Sequence, residues 1–354
     1  MADTGTDGGF RRAAARLLDG GRIDGAGPRR PFDAGEALAL RIFSAISTGG
    51  ESIGNSPAPR SIGGKGRARD PAPLATGFEI LEEIGRGRSA RVYRARDRAL
   101  DREVALKVLD VRGALADFSR ERFVEEARAL ASVDHRNVVR IHAIDEERGS
   151  VRLCLELVRG RTLDRIVREE GVFAPRSAAR VAGEICRALG AVHVRGLVHR
   201  DVKPANVMIA DEGRRVVLLD FGIARAADGE LSAASLRDGT PLFMSPERLL
   251  GRPSATPGDD LFSLGVLMHF LVSSEYPFAA PTVEGLRARI LRSPASRLSG
   301  VDAAYSAIVR RLLAPREKER YPTAAAAARA IQAFLRESGV TGRRRAPSRR
   351  PRRR

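Results

Sequence analysis

Eight consecutive residues, His199-Arg200-Asp201-Val202-Lys203-Pro204-Ala205-Asn206, bring together a carboxylate, two cations, an imidazole and an amide. Held near a hydroxyl, Asp201 is a general base, and the Asn206 amide is an oxygen ligand for a hard cation. Nineteen residues after Asp201, the apolar run Val216-Val217-Leu218-Leu219 delivers Asp220 to a tight turn at Phe221-Gly222. A carboxylate presented that way is well placed as a second ligand for magnesium. Either segment alone is compatible with a polar loop beside a strand; found together, in this order, they are too specific for chance.

Two upstream features fit the same chemistry. Gly85-Arg86-Gly87 leads through Ala90 to Val92 between two predicted strands. Glycines at such a turn let backbone N–H groups approach phosphate oxygens, although a lone glycine hairpin is usually only a turn. No helix opens after these glycines, so a dinucleotide-binding Rossmann unit is excluded. Fifteen residues past Val92, Lys107 sits within the apolar run Val104-Ala105-Leu106-Lys107-Val108. An ammonium there is costly unless it meets an anion. Only four of the 62 basic residues are lysine (Lys65, Lys107, Lys203 and Lys318), so a lysine at 107 or 203 stands out from the arginine background. Lysine is a compact point charge suited to phosphate. The following helical pattern offers Glu126 as the counter-charge beside its apolar face, with Glu125 as the alternative.

The elements that must position these groups fall into two sets. Residues 78–158 alternate apolar and polar positions around Phe78–Ile84, Val92-Tyr93, Glu103–Leu109 and Val151–Val158, with one helix from Ser119 carrying Phe123, Ala127 and Leu130 on one side. Beyond them helical runs dominate, at Ser177–Arg195, Asp260–Ser273, Ala303–Leu313 and Ala324–Arg336. A β-rich first third followed by a helical remainder predicts two lobes in the α+β class.

The combined set resembles the eukaryotic-type protein kinases, in the form common among bacterial serine/threonine kinases. It comprises Gly85-x-Gly87, Lys107, Glu126, His199-Arg200-Asp201, Asn206, Asp220-Phe221-Gly222, Gly239-Thr240-Pro241, Ser245-Pro246-Glu247, Asp260 and Arg320. The resemblance implies a bilobal kinase fold, with a small antiparallel β-sheet lobe bearing one helix and a larger helical lobe. It implies ATP as phosphoryl donor, with Mg2+ (or Mn2+) held by Asn206 and Asp220. Asp201 would orient the substrate hydroxyl, Lys203 would stabilise the γ-phosphate, and Lys107, held by Glu126, would pair with the other phosphates. The adenine nucleotide would be enclosed by Ile84, Gly85, Arg86, Gly87, Ala90, Val92, Ala105, the pocket-guarding Leu155, and the hinge from Glu156 to Val158. Arg200, Glu247, Asp260 and Arg320 would be structural supports. Ser232, Ser235 and Thr240 fall in the implied activation loop, the two serines as phospho-acceptors and Thr240 as a contact to the catalytic loop. Departures from the pattern are mild: Ala90 replaces a third glycine and Ser245 a frequent alanine. A pseudokinase scaffold is the alternative, disfavoured because Lys107, Asp201, Asn206 and Asp220 are all present.

Composition bounds the rest. Residues 1–76, rich in Gly, Ala, Pro, Ser and Arg, are expected to form a flexible extension, and residues 77–337 the catalytic domain. The net charge of +18 is concentrated at the end: residues 338–354 carry eight arginines and no acidic residue. That stretch is expected to be a disordered basic tail, with weak contact to nucleic acid or an anionic membrane as the competing role. Cys154 and Cys186 are far apart and are expected to be reduced thiols. The longest apolar stretch, Leu261 to Val272, is too short to cross a bilayer, and a signal peptide is not expected, because arginines interrupt Phe10 to Leu18. A cytoplasmic enzyme acting on protein serine and threonine is the expectation.

Overall fold

The computed structural model describes residues 77–86, 90–110, 117–147, 150–210, 213–221, 240–280 and 282–340. The calls on residues 1–76, Gly87, Ser232, Ser235 and the basic tail lie outside them.

The first lobe is a five-stranded antiparallel sheet in the order β1-β2-β3-β5-β4. Its strands are β1 (Phe78–Arg86), β2 (Ala90–Asp97), β3 (Arg102–Asp110), β4 (Ile141–Glu147) and β5 (Ser150–Glu156). One helix, α1 (Asp117–Ala131), enters the lobe between β3 and β4 and buries Phe123, Val124, Ala127 and Leu130. Period-two alternation sorts the strand residues between the two sides of the sheet. Ala95, Val104, Leu106 and Cys154 form a closed cluster on one side. Gly85 pairs with Val92, Val92 with Lys107, and Ala105 with both Arg94 and Leu155. Val92, Ala105, Lys107 and Leu155 therefore share the opposite side.

The second lobe begins with β6 (Gly160–Thr162), which joins β7 (Val207–Ala210) and β8 (Arg215–Leu218) in a small sheet. Gly160 is required there by close approach: a Cβ on it would lie 2.2 Å from the Ile209 carbonyl oxygen. The helices are α2 (Leu163–Glu170), α3 (Pro175–His193), α4 (Pro246–Leu249), α5 (Pro257–Ser273), α6 (Val283–Arg292), α7 (Ala303–Leu312) and α8 (Ala324–Val340). α5 is buried nearly all round, which matches its uninterrupted apolar sequence. A Thr256–Asp259 capping box and a proline at its first turn define where it starts. None of the described helices is long and apolar enough to cross a membrane.

The lobes are joined through the backbone. Leu218 N donates to Asn137 O at 2.8 Å and Val139 N to Leu218 O at 3.0 Å, so 137–139 runs as a short parallel bridge along β8. The buried Asn137 side chain adds a bond to Val216 O at 2.6 Å. The expected α+β bilobal kinase fold is thus the fold observed. β4, α2 and α6 were not anticipated from the sequence, because each is short and carries many charges.

Candidate active site

The catalytic-loop segment hangs from one buried carboxylate. Asp260, in the first turn of α5, accepts from His199 N at 2.9 Å and Arg200 N at 2.8 Å, and from His193 Nε2 at 2.8 Å. Arg200 sits at φ 68°, a conformation costly for a side chain with a Cβ, and the Asp260 bond holds its amide there. His199 is fully buried and donates from Nε2 to Leu219 O at 2.8 Å, tying the loop to the end of β8. Burial pushes its imidazole below the usual histidine range, so the ring is neutral and its Nδ1 accepts from Asp201 N at 3.2 Å.

This scaffold presents Asp201. Its Oδ2 lies 2.9 Å from Lys203 Nζ and accepts from Asn206 Nδ2 at 2.8 Å, while the same amide group reaches Asp201 O at 2.9 Å. The Asn206 amide is thereby oriented, leaving Oδ1 without a partner among the described residues. Asp220 follows β8 at φ 45°, with its side chain 46% exposed. One carboxylate and one oriented amide oxygen suit magnesium, which takes few protein ligands and completes its shell with phosphate and water. No group of three acidic, histidine or cysteine side chains among the described residues could hold a metal alone.

One expected pairing is corrected. Lys107 was assigned to Glu126, but its Nζ lies 2.8 Å from Asp220 Oδ1, and Glu126 instead accepts from Arg200 Nη1 at 2.8 and 3.0 Å. Lys107 and Glu126 each pair elsewhere. The Lys107 side chain is only 16% exposed and requires an anion, which Asp220 supplies across the gap between the lobes. A single nitrogen of the Arg200 guanidinium, Nη1, donates to both oxygens of Glu126. Glu125, the alternative, is exposed.

The remaining site residues are placed as follows. Ile84, Gly85, Arg86, Ala90, Val92 and Ala105 lie on β1, β2 and β3, with Ile84 and Arg86 largely exposed. Leu155 and Val158 pack against the Val139, Ala210 and Val217 cluster at the hinge. The Glu156 carboxylate points away from the strands' shared side, to Arg215 Nη2 at 2.9 Å. Thr240 begins a short 3-10 turn. Arg320 is fully buried and pairs with Glu247 at 2.8 and 3.0 Å. Sequence reasoning missed three supports: His193, Asn137 and Asp259, which accepts the Ser245 hydroxyl. Ser245 was noted as part of the Ser245-Pro246-Glu247 motif and as a departure from alanine, and its hydroxyl donates to that carboxylate.

Residues 78–331, most of the chain, match the protein kinase domain. The chain belongs to the protein kinase family. This kinase chain is 38% identical over 212 residues to the probable serine/threonine-protein kinase PknB of Corynebacterium glutamicum, covering 58% of this chain and 32% of that protein. It is 34% identical over 277 residues to the serine/threonine-protein kinase PknL of Mycobacterium tuberculosis, covering 76% and 69%. Against the serine/threonine-protein kinase PknB of the same organism, identity is 34% over 271 residues, covering 72% and 42%. The kinase chain thus spans between about a third and two thirds of the length of these relatives.

Proposed function

We propose that this chain transfers the γ-phosphate of ATP to serine or threonine hydroxyls of protein substrates, working in the cytoplasm. The observation that carries the proposal is the Asp201 carboxylate held at 2.8–2.9 Å by Asn206 and Lys203, on a loop suspended from Asp260. Phosphoryl transfer asks a protein mainly for positioning and charge. Asp201 is oriented to accept a hydrogen bond from the incoming hydroxyl and to take up its proton. Lys203, beside it, offers a cation to the oxygens of the transferred group. Asn206 Oδ1 and the Asp220 carboxylate would hold Mg2+, which screens the phosphate charge when bound. Val92, Ala105 and Leu155 form the apolar side of the nucleotide cleft, and the Gly85 turn covers the phosphates. Catalytic function rests in residues 77–337, with the flanking segments accessory.

These two ion pairs describe a resting arrangement. Lys107 and Asp220 neutralise each other, as do Arg200 and Glu126, so nucleotide binding asks Lys107 to leave Asp220. Arg200 is the natural partner for a phosphate on Ser232 or Ser235, which would free Glu126 for Lys107.

The test is incubation of the purified chain with labelled ATP, magnesium and a generic protein, with phosphosites mapped by mass spectrometry. Asp201→Asn should lower turnover by about 10²–10⁴-fold while leaving ATP binding intact. Phosphotyrosine as the main product would overturn the residue specificity. Equal inertness of wild type and variant, with ATP still bound, would favour a nucleotide-binding scaffold.

A further inference from the structure

Behind the hinge, away from Asp201, lies a cavity of about 480 Å³ lined by Arg136, Arg140, Arg215, His135 and His142. Its volume falls in the range of small-ligand sites. Val133 and Val138 supply an apolar floor, and two carboxylates, Asp134 and Glu156, complete the lining. Each carboxylate is already spent on an arginine: Asp134 on Arg140, and Glu156 on both Nη atoms of Arg215.

What remains on the wall is mostly donor capacity. Arg136 uses only Nη2, on the Arg214 carbonyl at 3.2 Å, and Arg140 only Nη2, on Asp134. Nε and Nη1 of both have no partner among the described residues. His135 Nδ1 accepts from Asn137 N at 3.1 Å, which places its proton on Nε2 as a further donor. The His142 ring has no partner among the described residues. A phosphate presents three strong acceptor oxygens to such an array and suits guanidinium edges.

We propose that this cavity is a second binding site, taking a small phosphate-bearing anion. It does not depend on the kinase reading, because it shares only Glu156 with the candidate active site. It is nonetheless joined to that site: Glu156 N donates to Arg140 O at 2.9 Å, and Arg140 N to Glu156 Oε2 at 3.4 Å. An anion drawing on Arg140 therefore acts on the hinge, and by linkage nucleotide binding acts back on the anion.

Proton uptake should accompany binding. Burial, then Arg187 from α3 and Arg136, push His135 below the usual range, against Glu184 and Asp134. Burial, then Arg102 from β3 and Arg140, do the same to His142, against Glu156 and Asp97. A bound phosphate reverses the arginines' influence, so affinity should rise as pH falls toward the histidine range.

The experiment is histidine-selective ¹⁵N NMR on the full chain, titrated with inorganic pyrophosphate in one arm and O-phosphoserine in the other. The five histidines are assigned with single His→Gln variants. Saturable movement of His135 and His142, with His193, His199 and His269 unmoved, is the expected result, and it should vanish in Arg136→Gln/Arg140→Gln. Response to pyrophosphate alone identifies a free phosphorylated metabolite, and response to both a phosphorylated side chain; either supports the site. Silence of His135 and His142 into the tens of millimolar overturns it, judged on wild type, so a variant that fails to fold does not rescue it. Movement at His199 alone places the anion at the catalytic loop and overturns it equally.

Discussion

Arg320→Met removes the most deeply embedded charge of the helical lobe. The wild-type guanidinium is 0% exposed and donates to Ala314 O at 2.9 Å, Gly258 O at 3.1 Å, Pro315 O at 3.1 Å and both oxygens of Glu247. Its central carbon also stands 5.1 Å from the Phe262 ring centroid. Methionine replaces the volume but none of these bonds, and strands Glu247, whose side chain is only 20% exposed. Breaking a buried pair from one side costs about 3–5 kcal/mol, and the partial access of water to Glu247 argues for about 3. For a domain of this size that lowers Tm by about 6–12 °C. Urea and thermal unfolding, compared at constant m-value, provide the measurement. The double variant Arg320→Met/Glu247→Leu should recover at least about 1 kcal/mol over simple addition, because no lone carboxylate is left. A loss below about 1 kcal/mol, the range of exposed pairs, would falsify the picture of a buried clamp beneath the Ser245–Glu247 turn.

Asp260→Ala should cost about 2–3 kcal/mol, because two catalytic-loop amides lose a charged acceptor. Its kcat should fall further than its KM for ATP, checked by steady-state kinetics at a temperature where the variant is folded. Four histidines, His135, His142, His199 and His269, are held below the ordinary histidine value of 6.5, with burial the leading cause. For each, the unfolded chain binds a proton that the folded chain refuses. Stability should therefore be full above the unfolded value and fall as pH drops below 6.5, by about 1.4 kcal/mol per pH unit for each proton taken up. Thermal melts between neutral pH and the mildly acidic range measure this slope, and His199→Gln should flatten it.

The residue types and their order specified the His199–Asn206 loop, the turn at Asp220 and the two-lobed α+β architecture. These were legible because they depend on local patterns: apolar runs bounded by turns, and polar clusters at strand ends. The rarity of lysine singled out Lys107 without any coordinate. Partner choice was not legible. Glu126 and Arg200 are 74 positions apart, and Lys107 and Asp220 are 113 apart. Which anion meets which cation depends on how α1 and the turn after β8 are set against each other, and spacing does not encode that. Asn137, His193 and Asp259 escaped notice for the same reason, each being an ordinary polar residue until packing buries it beside an otherwise unsatisfied group. The cavity behind the hinge is the clearest case. Its arginines come from two segments, 136–140 and the start of β8, and only the tertiary structure brings them to one wall.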